Sequence, residues 1–161
     1  MAGHLAARCP AVPVLHDRRM PGSRANIDHI AIAPSGVLVI DTKRLKGRVE
    51  VRKPFFGEQR LLVAGRDKTK LVEGLHRQVD AVRRGLALIE QDVPVSGCFC
   101  FVNPEGQAGG SGIRLRCTPT VDGFELYHPR RLSKRLNRDG PVGRGQIEVL
   151  TEALLELFPA A

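Results

Sequence analysis

The sequence predicts an α/β fold, and three stretches of its 161 residues carry that prediction. Asn26–Lys43 (NIDHIAIAPSGVLVIDTK) reads as a β-hairpin, with two β-branched arms around Pro34, Ser35 and Gly36. Lys68–Ile89 reads as an amphipathic helix, because Leu71, Leu75, Val79, Val82, Leu86 and Ile89 recur at spacings of three and four. Val93–Val102 (VPVSGCFCFV) is a short apolar run of the kind expected at the centre of a sheet, with Pro94 confined to its start. A chain of this length forms one domain, 1–161, and buries a core without metal or disulfide staples.

The elements follow in order. His4–Cys9 is a candidate helical turn ended by Pro10 and Pro13, and Val14–Asp17 is a candidate short strand. Arg18–Arg24 (RRMPGSR) forms a basic loop into the hairpin. Beyond it, Gly47 marks a turn, Val49 and Val51 share one face of a further strand, and Gln59–Ala64 is another strand ended by a turn at Gly65–Asp67. After the long helix and the central strand, Asn103–Gly112 (NPEGQAGGSG) is a loop of mobile composition. Ile113–Cys117 and Phe124–Tyr127 are short strands, Arg130–Leu136 is a small basic helix, and Ile147–Phe158 closes the chain as a helix with Ile147, Leu150, Leu154 and Leu157 on one stripe.

Charge narrows the choice of partner. The chain carries 25 Lys and Arg against 17 Asp and Glu, a net +8, and the excess is uneven. Ten basic and three acidic residues lie between Lys43 and Lys70, and five basic and no acidic ones between His128 and Arg138. Such a surface suits a polyanion, most simply nucleic acid; a solvated basic face is the plainer alternative. Cys9, Cys98, Cys100 and Cys117 show neither CxxC nor zinc spacing, which points to free thiols in a reducing cytoplasm. No apolar run is long enough to span a bilayer, so no membrane partner is expected.

The hairpin also carries the chemistry. With Pro34-Ser35 as the corner, Ala33 faces Gly36 and Ile32 faces Val37, and the same register places Asp28 opposite Asp41 with Cβ atoms roughly 5 Å apart. Alternation puts Asp28 on the face of Ile30 and Ile32, and puts Asp41 and Lys43 on the face of Val37 and Val39. Two facing carboxylates repel, and a divalent cation between them removes the objection. With Ser35-Gly36 as the corner, Asp28 faces Lys43 instead, as an ordinary ion pair. On the long helix, Gln78 sits at stripe spacing between Leu75 and Val82; a buried amide there needs polar partners, whereas one at the stripe's edge reaches solvent.

Asp28, twelve residues, then Asp41-Thr42-Lys43 resembles the D…(D/E)xK core of the PD-(D/E)XK nuclease superfamily. The surrounding words NIDHI, PSGVLVIDTK and KGRV are similar to those of the NERD (nuclease-related) domain. The resemblance implies a restriction-endonuclease-like fold, a central mixed β-sheet flanked by helices, and metal-dependent hydrolysis of phosphodiester bonds, in DNA before RNA. It implies that Asp28, Asp41 and the backbone carbonyl of Thr42 hold Mg²⁺ or Mn²⁺. By the same resemblance Lys43 orients or activates the attacking water, and Gln78 steadies the site. Arg44, Lys46 and Arg48 are the candidate contacts to the phosphate backbone.

One departure from the family pattern stands out. The usual Glu on a helix before the first strand has no counterpart, because no Glu precedes Glu50 and only His4 and Asp17 offer polar groups upstream. Either the N-terminal helix is short or truncated, or the site runs with two carboxylates. The alternative function is therefore a catalytically impaired nucleic-acid-binding or scaffold module that retains the nuclease fold. His29 alternates away from Asp28 and reads as a core or supporting residue; His16, His76 and His128 share no zinc spacing. A homo-oligomer is compatible with the sequence.

Overall fold

The computed structural model describes residues 1–45, 47–102 and 118–161. The expected loop at 103–112, the expected strand at 113–117 and the side chain of Lys46 lie outside the described residues. The chain runs α1 (Ala2–Arg8), β1 (Val14–Arg19), β2 (Asn26–Ala33), β3 (Gly36–Lys43), β4 (Val49–Arg52), β5 (Arg60–Val63), β6 (Arg66–Asp67), α2 (Lys70–Leu88), β7 (Val95–Phe101), β8 (Thr120–Val121), β9 (Phe124–Tyr127), α3 (Pro129–Leu136) and α4 (Arg144–Leu157). Six strands form a mixed sheet in the order β1-β2-β3-β7-β9-β8, flanked by helices in the restriction-endonuclease-like manner. β1-β2-β3 are antiparallel, and β7 runs parallel to both β3 and β9, so the apolar run near residue 100 is indeed central. A parallel neighbour needs a long crossover, and the segment from β4 through α2 supplies it.

The sheet has a core on each face. One gathers Ile30, Ile32, Val37, Val39 and Phe99 beneath Val72, Leu75, Val79, Val82 and Leu86 of α2 and Ile147, Leu150 and Leu154 of α4. The other gathers Ala31, Ala33, Leu38, Ile40, Cys98 and Cys100 beneath Leu5 of α1 and Leu132 and Leu136 of α3. Alternation along β3 and β7 feeds the two cores in turn, which is why Val37–Ile40 and Cys98–Phe101 are apolar without a break. Gly97 lets α2 sit close to the sheet: a Cβ there would lie 2.7 Å from Val79 Cγ2 and 3.0 Å from Phe124. The α2 stripe is shifted from the expected one, since Val72 is buried while Leu71 is half-buried and Ile89 is exposed at the helix end.

β4, β5 and β6 form a separate three-stranded antiparallel sheet. The turn expected at Gly65–Asp67 falls instead on Ala64 and Gly65, at φ 50 and 73, and Arg66 and Asp67 pair back onto β5. Two consecutive residues with positive φ make the tight turn whose twist matches a hairpin. Among the described residues no helix is long and apolar enough to cross a membrane.

Candidate active site

The hairpin register is the one set by a Pro34-Ser35 corner: Ala33 pairs with Gly36, Ile32 with Val37, and the ladder continues to His29 opposite Ile40. There it stops. Asp28 and Asp41 would form the next pair, but the Asp28 side chain takes over from the ladder, its Oδ2 accepting the backbone N–H of Thr42 at 2.8 Å. The β1–β2 ladder likewise omits Asp17 and Asp28, and Asp17 is left-handed at φ 48. Alternation slips at this point, because Ile27 joins the same core as Ile30. The expectation that Asp28 shares a face with Ile30 and Ile32 is therefore corrected: its carboxylate lies at the seam between β2 and β3.

That seam brings four predicted residues together. Asp41 is 3 % exposed, and Lys43 Nζ makes an ion pair with its Oδ1. Burial pushes the Asp41 carboxyl above the usual carboxylate range; Lys43 pulls it down, and the charge of Asp28 pushes it up. Two neighbouring acids, one of them buried, carry more negative charge than one lysine offsets. Lys43 O accepts the N–H of Val102 on the β7 side, and Thr42 N–H points to Asp28 on the β2 side. The carbonyl of a strand residue points the same way as its N–H, so the Thr42 carbonyl also faces the Asp28 edge. Thr42 Oγ1 is buried with no hydrogen-bond partner.

Gln78 sits half-buried on the inner side of α2, with a buried Oε1 that has no hydrogen-bond partner. No hydrogen bond joins it to Asp28, Asp41 or Lys43. Arg44 is exposed and lines a cavity of about 570 Å³ with Asp28 and Thr42. Arg48 is exposed and ion-paired to Glu50 at 3.0 Å. Of the two polar groups upstream, His4 is tied to Ser133 Oγ at 3.2 Å, while Asp17 borders the same cavity as Asp28 and accepts a hydrogen bond from Asn26. No group of three or more His, Cys, Asp or Glu poised for a metal occurs among the described residues.

Periodicity missed one feature. His16 and His29 pair across β1 and β2 with their Nδ1 atoms 2.9 Å apart, and both line the cavity beside Asp28. His29 was expected to face away from Asp28; the slip in alternation puts the two on one cavity. Burial, then the neighbouring His16, lowers the His29 pKa to about 4, so both rings are neutral near pH 7 and one donates to the other. The signal lay in the β1–β2 register, which no turn of fixed length sets, since six residues separate the strands.

The family model described as nuclease-related domain matches residues 7–102, which spans β1 to β7 and the whole hairpin. No curated protein and no solved structure matches the chain.

Proposed function

The chain belongs to the nuclease-related domain family, and from that membership we propose that it hydrolyses phosphodiester bonds of nucleic acid, DNA before RNA, with Mg²⁺ or Mn²⁺. The observation that carries this reading is the buried Asp41 carboxyl with Lys43 against it, and Asp28 held at the adjoining β2–β3 seam by the Thr42 N–H. Asp28, Asp41 and the Thr42 carbonyl are a hard, all-oxygen donor set, which suits Mg²⁺ or Mn²⁺ and fits the charge the two acids leave uncompensated. When bound there, such a cation polarises a phosphoryl oxygen and acidifies water.

The chain's own groups do the rest. The Thr42 N–H fixes Asp28, so one carboxylate is held in place before any substrate arrives. Lys43, a quarter exposed, keeps its ammonium beside the acids and offers a positive charge where negative charge develops on phosphate. Gln78 is assigned to steady the site, its buried Oε1 being placed to accept a hydrogen bond from water or ammonium. Arg44, Lys46 and Arg48, which follow Lys43 in the sequence, are assigned to the phosphate backbone.

One observation favours the rival reading of an impaired binding module, namely that among the described residues no third His, Cys, Asp or Glu joins Asp28 and Asp41 in a metal-holding group. Nicking of supercoiled plasmid with Mn²⁺ separates the two. Wild type nicks, and Lys43→Ala slows nicking by about 10²–10³-fold while still binding metal. Metal binding by wild type without nicking would instead support the binding module.

A further inference from the structure

Seven aromatic side chains occur in the chain, and five of them are buried: Phe99, Phe101, Phe124, Tyr127 and Phe158 are each at most 7 % exposed. The other two are neighbours. Phe55 is 96 % and Phe56 86 % exposed, at the tip of the loop 53–59 that joins β4 to β5. A single exposed apolar residue is ordinary, but two adjacent phenyl rings in water at one loop tip are a sticky surface left uncovered among the described residues. Their centroids are 5.2 Å apart and the rings are nearly perpendicular.

The loop's base is cationic in a way the fold does not need. Arg52 and Arg60 are direct cross-strand partners at the last pair of the β4–β5 ladder, where like charges oppose each other. Neither makes an ion pair among the described residues. With Lys53 they line a cavity of about 730 Å³ beside Phe56, whose other charged walls are Glu58 and Asp67. The base is fixed to the rest of the chain: Gln59 Oε1 accepts the N–H of Asp122 at 3.0 Å, and Thr69 Oγ1 accepts that of Leu61 at 3.2 Å.

We propose that this loop is a clamp for single-stranded nucleic acid, with Phe55 and Phe56 stacking on unpaired bases and Arg52 and Arg60 sharing a phosphate. The inference rests on the reading of the chain as a nucleic-acid domain, though not on hydrolysis. An anion between the two guanidiniums relieves their repulsion, and a phenyl face accepts any base without reading its edge. Duplex DNA keeps its base faces stacked inside and offers the rings nothing.

Fluorescence anisotropy in EDTA tests the clamp apart from cleavage. The probes are a labelled oligothymidylate of roughly twenty nucleotides and a duplex of equal length. The single strand should bind more tightly to wild type. Phe55→Ala with Phe56→Ala should weaken that binding by about tenfold or more and leave the log-salt slope unchanged. Arg52→Gln with Arg60→Gln should flatten the slope by about one. Equal or tighter duplex binding, or single-strand binding indifferent to the two phenyl rings, overturns the clamp. So does loss in the phenyl variant of binding to phosphatidylserine vesicles or of self-association while oligonucleotide binding is unaffected. Plasmid nicking that persists in such a case leaves the nuclease reading standing, and phenyl-dependent binding without nicking leaves the clamp standing.

Discussion

Asp41→Asn abolishes metal-dependent nicking and does not lower the melting temperature. Loss of nicking follows from the ligand set: the variant keeps Asp28 and the Thr42 carbonyl but loses the buried carboxylate that Lys43 pairs with beside the seam. A drop of at least about 10²–10³-fold is expected, the scale on which one essential electrostatic group is lost. Retained stability follows from burial. Burial is the largest influence on Asp41 and it raises the carboxyl above its ordinary 3.8. The folded state then binds more protons than the unfolded one between 3.8 and the raised value. Stability from this group is fully present below the unfolded value and is lost as pH rises through the folded one. At neutral pH the ionised carboxylate is a net cost to the fold, and the neutral amide removes it. Metal reverses the order: Mn²⁺ at 100 times its dissociation constant should add about 2.7 kcal/mol to wild type, roughly 5–10 °C in Tm, and nothing to the variant. Thermal melts with and without Mn²⁺ check both halves. A variant that melts well below metal-free wild type would show that Asp41 serves the fold.

Gly36→Ala should be among the most damaging single substitutions in the chain, at about 3 kcal/mol or more. Gly36 opens β3 at φ 120, a conformation that L residues avoid, and a Cβ there would lie 2.3 Å from the Pro94 carbonyl oxygen. That oxygen accepts the N–H of Val37 at 2.8 Å, so it cannot retreat without breaking the start of the β3–β7 ladder. The corner is also held from the other side, where Pro34 O accepts the N–H of Val142 and Arg135 donates to Ser35 Oγ. Any escape moves the corner, and a one-residue shift of the corner carries Asp28 past Asp41 toward Lys43. Urea denaturation should show the loss of stability, and whatever folded variant remains should bind Mn²⁺ poorly. A variant as stable as wild type would mean that the corner is softer than its contacts imply.

Much of this was legible because the hairpin is ruled by short-range geometry. A Pro-Ser corner sets the register, and the register carries two acids to one place within eighteen residues of chain. The α2 stripe and the central β7 were legible from periodicity for the same reason. Periodicity failed where a side chain replaces a backbone partner. Asp28 takes the Thr42 N–H, Asp17 turns left-handed beside it, and the alternation slips, so neither the seam position of Asp28 nor its nearness to His29 could be read from spacing of two. That β4, β5 and β6 form a sheet of their own was not legible, since the strands at Val49–Val51 and Gln59–Ala64 carry no signal of which sheet they join and β6 is two residues long. The exposed pair Phe55-Phe56 looked like any apolar dipeptide until burial distinguished it from the five other aromatics.

Calorimetric titration of Mn²⁺ into wild type and Asp41→Ala tests the central claim most directly, that the Asp28–Asp41 seam is a divalent-cation site. A single saturable site in wild type that is absent from a folded Asp41→Ala is the predicted result. No heat of binding to wild type, or equal binding to both proteins, would contradict it.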